Sequence, residues 1–124
     1  MKIKTGIDII EIDRIKKNID NTNDKFCDKV FTKLEIDYCE SKKRQRYQHY
    51  AARFAAKEAT FKALSDKLDN KFQISWKDIE ILNKNDGKPY IIIPNEYMKD
   101  IEDIDLSISH CQSYAIANVV ILFK

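Results

Sequence analysis

An α+β fold is predicted by three features of the sequence. Branched apolar runs lie at both ends of the chain, an alanine-rich helical segment occupies the middle, and short connections favour antiparallel pairing. The 124 residues fit one unit spanning 1–124, since that length is typical of a single domain. Apolar residues make up 44% and charged residues 34%, enough for one core beneath a charged surface. With only two glycines and two prolines, the chain has no room for flexible or proline-rich linkers.

The first strand is read over residues 3–12, where Ile3, Ile7, Ile9, Ile10 and Ile12 supply branched side chains. Asp13 is placed as the cap of a short helix running through Ile19. The polar stretch from Asp20 to Asp24 separates it from a second helical region. Thr32 with Glu35 three residues on is a capping-box pattern, opening a helix through Ile36, Tyr38 and Cys39. Residues 47–64 form the clearest helix: rich in Ala, free of Gly and Pro, with bulky Tyr47, Tyr50, Phe54 and Phe61. A hairpin follows, with strands at 79–82 and 90–93 about a turn at Asn85-Asp86-Gly87. A short helix at 95–101 and two strands, 106–109 and 115–122, complete the chain.

Charge is uneven although the net value is only +2. Between Lys42 and Lys62 there are seven Lys or Arg and one Glu, whereas five acids and one Lys lie between Glu96 and Asp105. A local basic field in a nearly neutral chain suits an anionic ligand or partner better than general nucleic-acid binding. The longest uncharged apolar run, Tyr114 to Phe123, is about half of what a membrane helix needs. No signal-like segment opens the chain, so a soluble protein is expected. Cys27, Cys39 and Cys111 form no CxxC pair and are odd in number, which suits reduced thiols in the cytoplasm.

Two acids break the apolar pattern. On a helical wheel Glu58 falls about 40° from Phe54, inside the apolar stripe of the central helix. Asp8 stands between Ile7 and Ile9 in the first strand. Bare carboxylates are costly to bury, so each asks for a cation or hydrogen bonds. An ion pair or a wet edge satisfies either acid alone. Together, two carboxylates plus phosphate or water oxygens make a usual Mg²⁺ arrangement. Arg53 and Lys57 flank the Glu58 stripe on one side and Lys62 on the other, a setting suited to pyrophosphate or simply a solvated basic face. Gly6 precedes the strand acid, and Gly87 opens Gly87-Lys88-Pro89, places where backbone can approach a ligand closely. Asp105, Ser107 and Ser109 share one strand face and His110 ends the strand, which suits phosphate or ribose contacts. Adjacent strand residues point to opposite faces, so Ser109 with His110 makes a poor nucleophile-base pair.

The ordered set of motifs resembles the holo-acyl-carrier-protein synthases, the small trimeric class of 4′-phosphopantetheinyl transferases. The matching stretches are Gly6 to Ile15, Phe31-Thr32 with Glu35, Tyr38 and Cys39, Ala52 to Ala59, and Lys62 to Leu64. They continue with Trp76, Asp78 to Ile81, Asn83, Gly87 to Pro89, Ser107 to His110, and Tyr114-Ala115. The resemblance implies transfer of phosphopantetheine from coenzyme A to a serine of apo acyl carrier protein, in fatty acid biosynthesis. It also implies Mg²⁺ on Asp8 and Glu58, catalytic help from Lys62, and a homotrimer with sites between subunits. Coenzyme A would meet Arg53, Lys62, Gly87, Lys88, Pro89, Ser109 and His110. Arg14, Lys16 and Lys17 would face the acidic carrier protein, and Glu58 or Glu35 would take the serine proton through water. Two departures stand out: Ser65 to Lys71 lacks the usual glycine, and Ile7 stands where Thr is frequent, pointing away from the metal if the strand alternates.

Two rival readings remain. A basic nucleic-acid module would use Lys42 to Arg53 with Tyr47 and Tyr50, but leaves the intruding acids unexplained. Another Mg²⁺-dependent phosphate-cleaving enzyme keeps the acids and leaves the ordered motifs unexplained.

Overall fold

A computed structural model describes residues 1–70 and 73–124. Strand β1 (Lys2–Glu11) leads into helices α1 (Ile12–Asn21), α2 (Lys25–Val30), α3 (Lys33–Glu40) and α4 (Arg46–Leu64). The hairpin β2 (Glu80–Asn83) and β3 (Pro89–Ile92) follows, then the single turn α5 (Asn95–Met98), β4 (Ile101–His110) and β5 (Tyr114–Phe123). The long strands form an antiparallel sheet in the order β1-β5-β4, and β2 pairs with β3 apart from it. The predicted α+β class holds.

Helix α4 crosses one face of the sheet against β1 and β5. It can lie close because its inner face is alanine: Ala51, Ala55, Ala59 and Ala63 are buried. On β5 the inward set is Ala115, Ala117, Val119, Ile121 and Phe123, alternating with more exposed neighbours. At Gly6 the approach becomes main chain against main chain. A Cβ there would lie 1.8 Å from the Ala59 carbonyl oxygen, so only glycine fits. Gly6 thus serves strand-helix packing and not the ligand contact expected of it.

Other expectations need similar correction. Asp13 does not cap α1; that helix starts at Ile12 with Glu11 in the N-cap position and no side-chain cap bond. The Thr32–Glu35 capping box forms as read. The penultimate strand begins at Ile101 and not at Leu106, with a register shift between Ile101 and Asp103. Its acids had disguised it: β4 is an edge strand, where Glu102, Asp103 and Asp105 can face water. The helix expected over 95–101 is correspondingly short. Of the glycine-free stretch after α4, Ser65–Lys67 is a 3₁₀ turn, and Lys71 lies outside the described residues.

Candidate active site

Because Gly6 docks β1 onto α4, the next inward residue of β1, Asp8, arrives beside the last turn of that helix. There the Lys62 ammonium donates to the Ile7 carbonyl at 2.8 Å and to Asp8 Oδ1 at 3.3 Å. Asp8 is largely sheltered, its side chain 18% exposed, whereas Lys62 is open to solvent. Ile7 points to the opposite face and is exposed, as strand alternation required. Glu58 lies one helical turn before Lys62, on the same flank. Lys62 thus joins the strand acid at one corner, with the helix acid one turn before it on α4.

The wheel reading of Glu58 needs refinement. The buried stripe of α4 is its alanine face, while Phe54, Glu58 and Phe61 are half-buried along the flank. Glu58 borders a cleft of about 780 Å³, with Phe61, Leu68, Ile74 and Trp76 as apolar walls and Lys29 on the lining. Its Oε1 accepts a 2.7 Å hydrogen bond from the Trp76 indole N–H.

The fully buried charges are elsewhere. Lys57 does not reach a rim: it donates to Glu35 Oε1 at 2.7 Å, to the Val30 carbonyl at 2.8 Å and to the Trp76 carbonyl at 2.9 Å. Glu35 also accepts from the Thr32 N–H and, through Oε2, from the Ile81 N–H, both at 2.8 Å. Burial pulls the Lys57 pKa down while Glu35 pulls it up, and the three acceptors suit a charged ammonium. A carboxylate so enclosed and so bonded cannot pass a serine proton to solvent, which removes Glu35 as the base.

Arg53 is also buried. Its guanidinium stacks on Tyr38, 4.1 Å from the ring centre, and donates through Nη2 to Asn83 Oδ1. Asn83 in turn donates to the Gly87 carbonyl at 2.9 Å, tying α4 to the Gly87-Lys88-Pro89 turn. Gly87 has φ +91°, a conformation glycine adopts without strain, and Lys88 leans 3.7 Å from Asp105 on β4. Arg53 Nε has no hydrogen-bond partner among the described residues. Through Tyr38 the patch continues to His49 and then His110, with ring centres 5.6 and 6.4 Å apart. Burial and the charges of Arg53, Lys42 and His110 lower the His49 pKa to about 4.

Ser109 and His110 line a shallower depression of about 300 Å³ with Ile9, Cys111, Tyr114 and Ile116. No lining residue is shared with the Glu58 cleft. The predicted residues thus fall into two groups: an acid corner of Asp8, Glu58 and Lys62, and a polar patch of Arg53, Gly87, Lys88, Pro89, Ser109 and His110. Arg14, Lys16 and Lys17 are exposed on α1, with Lys17 paired to Asp13 at 3.0 Å. Sequence reasoning gave Trp76 and Asn83 no role, because a bond between distant chain segments leaves no spacing to read.

The 4′-phosphopantetheinyl transferase superfamily model matches residues 4–119, and this decides the family. The chain belongs to the holo-acyl-carrier-protein synthase family. Membership makes it a phosphopantetheinyl transferase. The holo-[acyl-carrier-protein] synthase of Ruminiclostridium cellulolyticum is 47% identical over 127 residues, covering 98% of this chain and 92% of the relative. That of Geobacter sp. is 43% identical, covering 94% and 95%. Among synthases of solved structure, that of Helicobacter pylori in complex with coenzyme A aligns with a TM-score of 0.83 and 34% identity, covering 95% of this chain and 99% of that one. The Bacillus anthracis synthase in complex with coenzyme A (3′,5′-ADP) gives 0.80 and 36%, covering 95% and 94%.

Proposed function

We propose that the chain, acting as one domain over 1–124, moves the 4′-phosphopantetheine arm of coenzyme A onto a serine hydroxyl of apo acyl carrier protein. The observation that supports this reading is the contact of Lys62 with Asp8 where β1 meets α4, with Glu58 one helical turn before Lys62. The serine oxygen attacks the phosphorus bearing the arm, the P–O bond to adenosine 3′,5′-bisphosphate breaks, and the serine proton is lost. Phosphoryl transfer of this kind rests on positioning and charge neutralisation more than on covalent help.

The donor set fits a hard divalent cation. Asp8 and Glu58 offer carboxylate oxygens, and one or two carboxylates suffice for Mg²⁺ when phosphate and water complete the shell. Bound there, Mg²⁺ would neutralise the pyrophosphate oxygens as the bisphosphate leaves. Lys62, already oriented by the Ile7 carbonyl, would neutralise further charge on the leaving side. With Glu35 enclosed, Glu58 is the candidate to take the serine proton through a water.

Coenzyme A would lie on the polar patch, where exposed Lys88, Ser109 and His110 offer donors to phosphate and ribose oxygens, with the buried Arg53 adding positive charge behind them. The outer face of the sheet supports assembly: Ile3, Ile7 and Ile9 are 57–69% exposed beside exposed Tyr114 and Val120. A homotrimer would cover that face and place the Ser109–His110 depression at a subunit boundary. Arg14, Lys16 and Lys17 would receive the acidic carrier. The setting is cytoplasmic fatty acid synthesis; burial holds the Cys27 and Cys39 thiols up to about 11 and about 12, where they remain protonated.

The test is incubation with coenzyme A, Mg²⁺ and apo carrier protein, followed by intact mass of the carrier. A gain of one phosphopantetheine is expected, with Glu58→Gln strongly slowed at low Mg²⁺. Wild-type turnover by Glu58→Gln at low Mg²⁺ would refute the assignment of Glu58.

A further inference from the structure

Trp76 is the only tryptophan of the chain, and it is held at both ends. It opens the 3₁₀ turn Trp76–Asp78, whose own start is closed by a Ser75–Asp78 capping box. Its carbonyl oxygen accepts from the buried Lys57 ammonium at 2.9 Å. Its ring packs at 6.2 Å between centres against Phe54, with the Lys29 ammonium 5.5 Å from the ring centre. Its indole N–H then donates to Glu58 Oε1 at 2.7 Å. A hydrogen bond to a carboxylate is charge-assisted and stronger than a neutral one. A glutamate on a helix flank otherwise samples several rotamers, so fixing one oxygen removes much of that freedom.

The support continues inward. Lys57 is fixed by Glu35 and the Val30 carbonyl, and Glu35 is fixed by backbone N–H groups from α3's cap and from β2. A buried ion pair thereby anchors the turn that orients an acid in the candidate site. We propose that Trp76 is a positioning residue for Glu58, holding one carboxylate oxygen so that the side chain is already aimed when a divalent cation arrives. The proposal rests on the reading of Glu58 as a metal ligand, and its test separates the two.

The single indole gives a single indole N–H correlation in the ¹⁵N-labelled protein. Glu58→Ala is expected to move that proton upfield, and MgCl₂ is expected to shift it in the wild type but not in Glu58→Ala. Trp76→Phe keeps most of the ring and loses the donor. Its half-maximal Mg²⁺ concentration should rise about tenfold, the effect of losing one hydrogen bond of this class. Turnover at saturating Mg²⁺ and KM for coenzyme A should stay close to wild type. A purely structural role would instead lower turnover at every Mg²⁺ concentration. An indole resonance unmoved by Glu58→Ala overturns the proposal whatever the fate of Trp76→Phe. Normal Mg²⁺ dependence in Trp76→Phe beside a crippled Glu58→Gln refutes the role of Trp76 alone. Full activity in Glu58→Gln at low Mg²⁺ would refute the reading of Glu58 itself.

Discussion

His49 sits half-buried between Tyr38 and His110, and it is kept neutral by its surroundings. Burial is the largest cause, followed by the positive charge of Arg53 and Lys42 and by His110, and together they lower its pKa to about 4 from 6.5. Between those values the unfolded chain binds a proton that the folded chain refuses, so stability falls as pH drops through that window. His49→Gln should flatten this part of the curve, measured as urea midpoint against pH from 7 down to 4. An unchanged slope would remove His49 as its cause. Residues differ in how far the sequence announces them. Glu58 and Asp8 stood out because acids among apolar neighbours violate a local pattern. Lys57 did not, because a lysine on an amphipathic helix is ordinarily solvated, and only the fold reveals that Glu35 lies in reach.

The pairing of Glu35 with Lys57 joins α3, α4, the Trp76 turn and β2, and it has the energetics of a buried charge pair. Lys57→Met leaves an enclosed carboxylate without its cation and should destabilise the fold by about 3–5 kcal/mol in denaturant melts. Adding Glu35→Leu should recover part of that loss, since the uncompensated charge disappears with it. A double variant as unstable as the sum of the singles would argue against a coupled pair. Helix α1 makes a different prediction. Its Arg14 and Lys17 are exposed, so reversing both to Glu should raise KM for the carrier protein and leave KM for coenzyme A nearly unchanged. An equal rise in both would count against α1 as the docking surface. Elements with internal chemistry were legible: the alanine-rich α4, the Thr32 capping box, and the Gly87 turn. The start of β4 was hidden, because its acids are allowed only by its place at a sheet edge, a property of the assembled topology.

At the scale of the whole molecule, the sheet has two apolar faces and α4 covers one of them. Strand β1 alternates isoleucines outward with Gly6, Asp8 and Ile10 inward, so branched residues occupy both sides. That is why the sequence alone left assembly to the resemblance; periodicity marks two faces and does not say which is covered. Ile9→Glu should leave the corner at α4 intact while opposing burial of the outer face. If the proposed trimer forms through this face, the variant should sediment as a monomer, and carrier modification should fall sharply. A wild-type sedimentation coefficient for Ile9→Glu would exclude this face as the contact.

The contact at Gly6 bears on how the corner could change over time. The gap between the first strand and the long helix is set by two main chains touching, with no side chain between them to lengthen or trim. Swapping residues there cannot widen the separation of Asp8 from the helix by small steps. Any variant that enlarged this corner would have to move a whole strand at once.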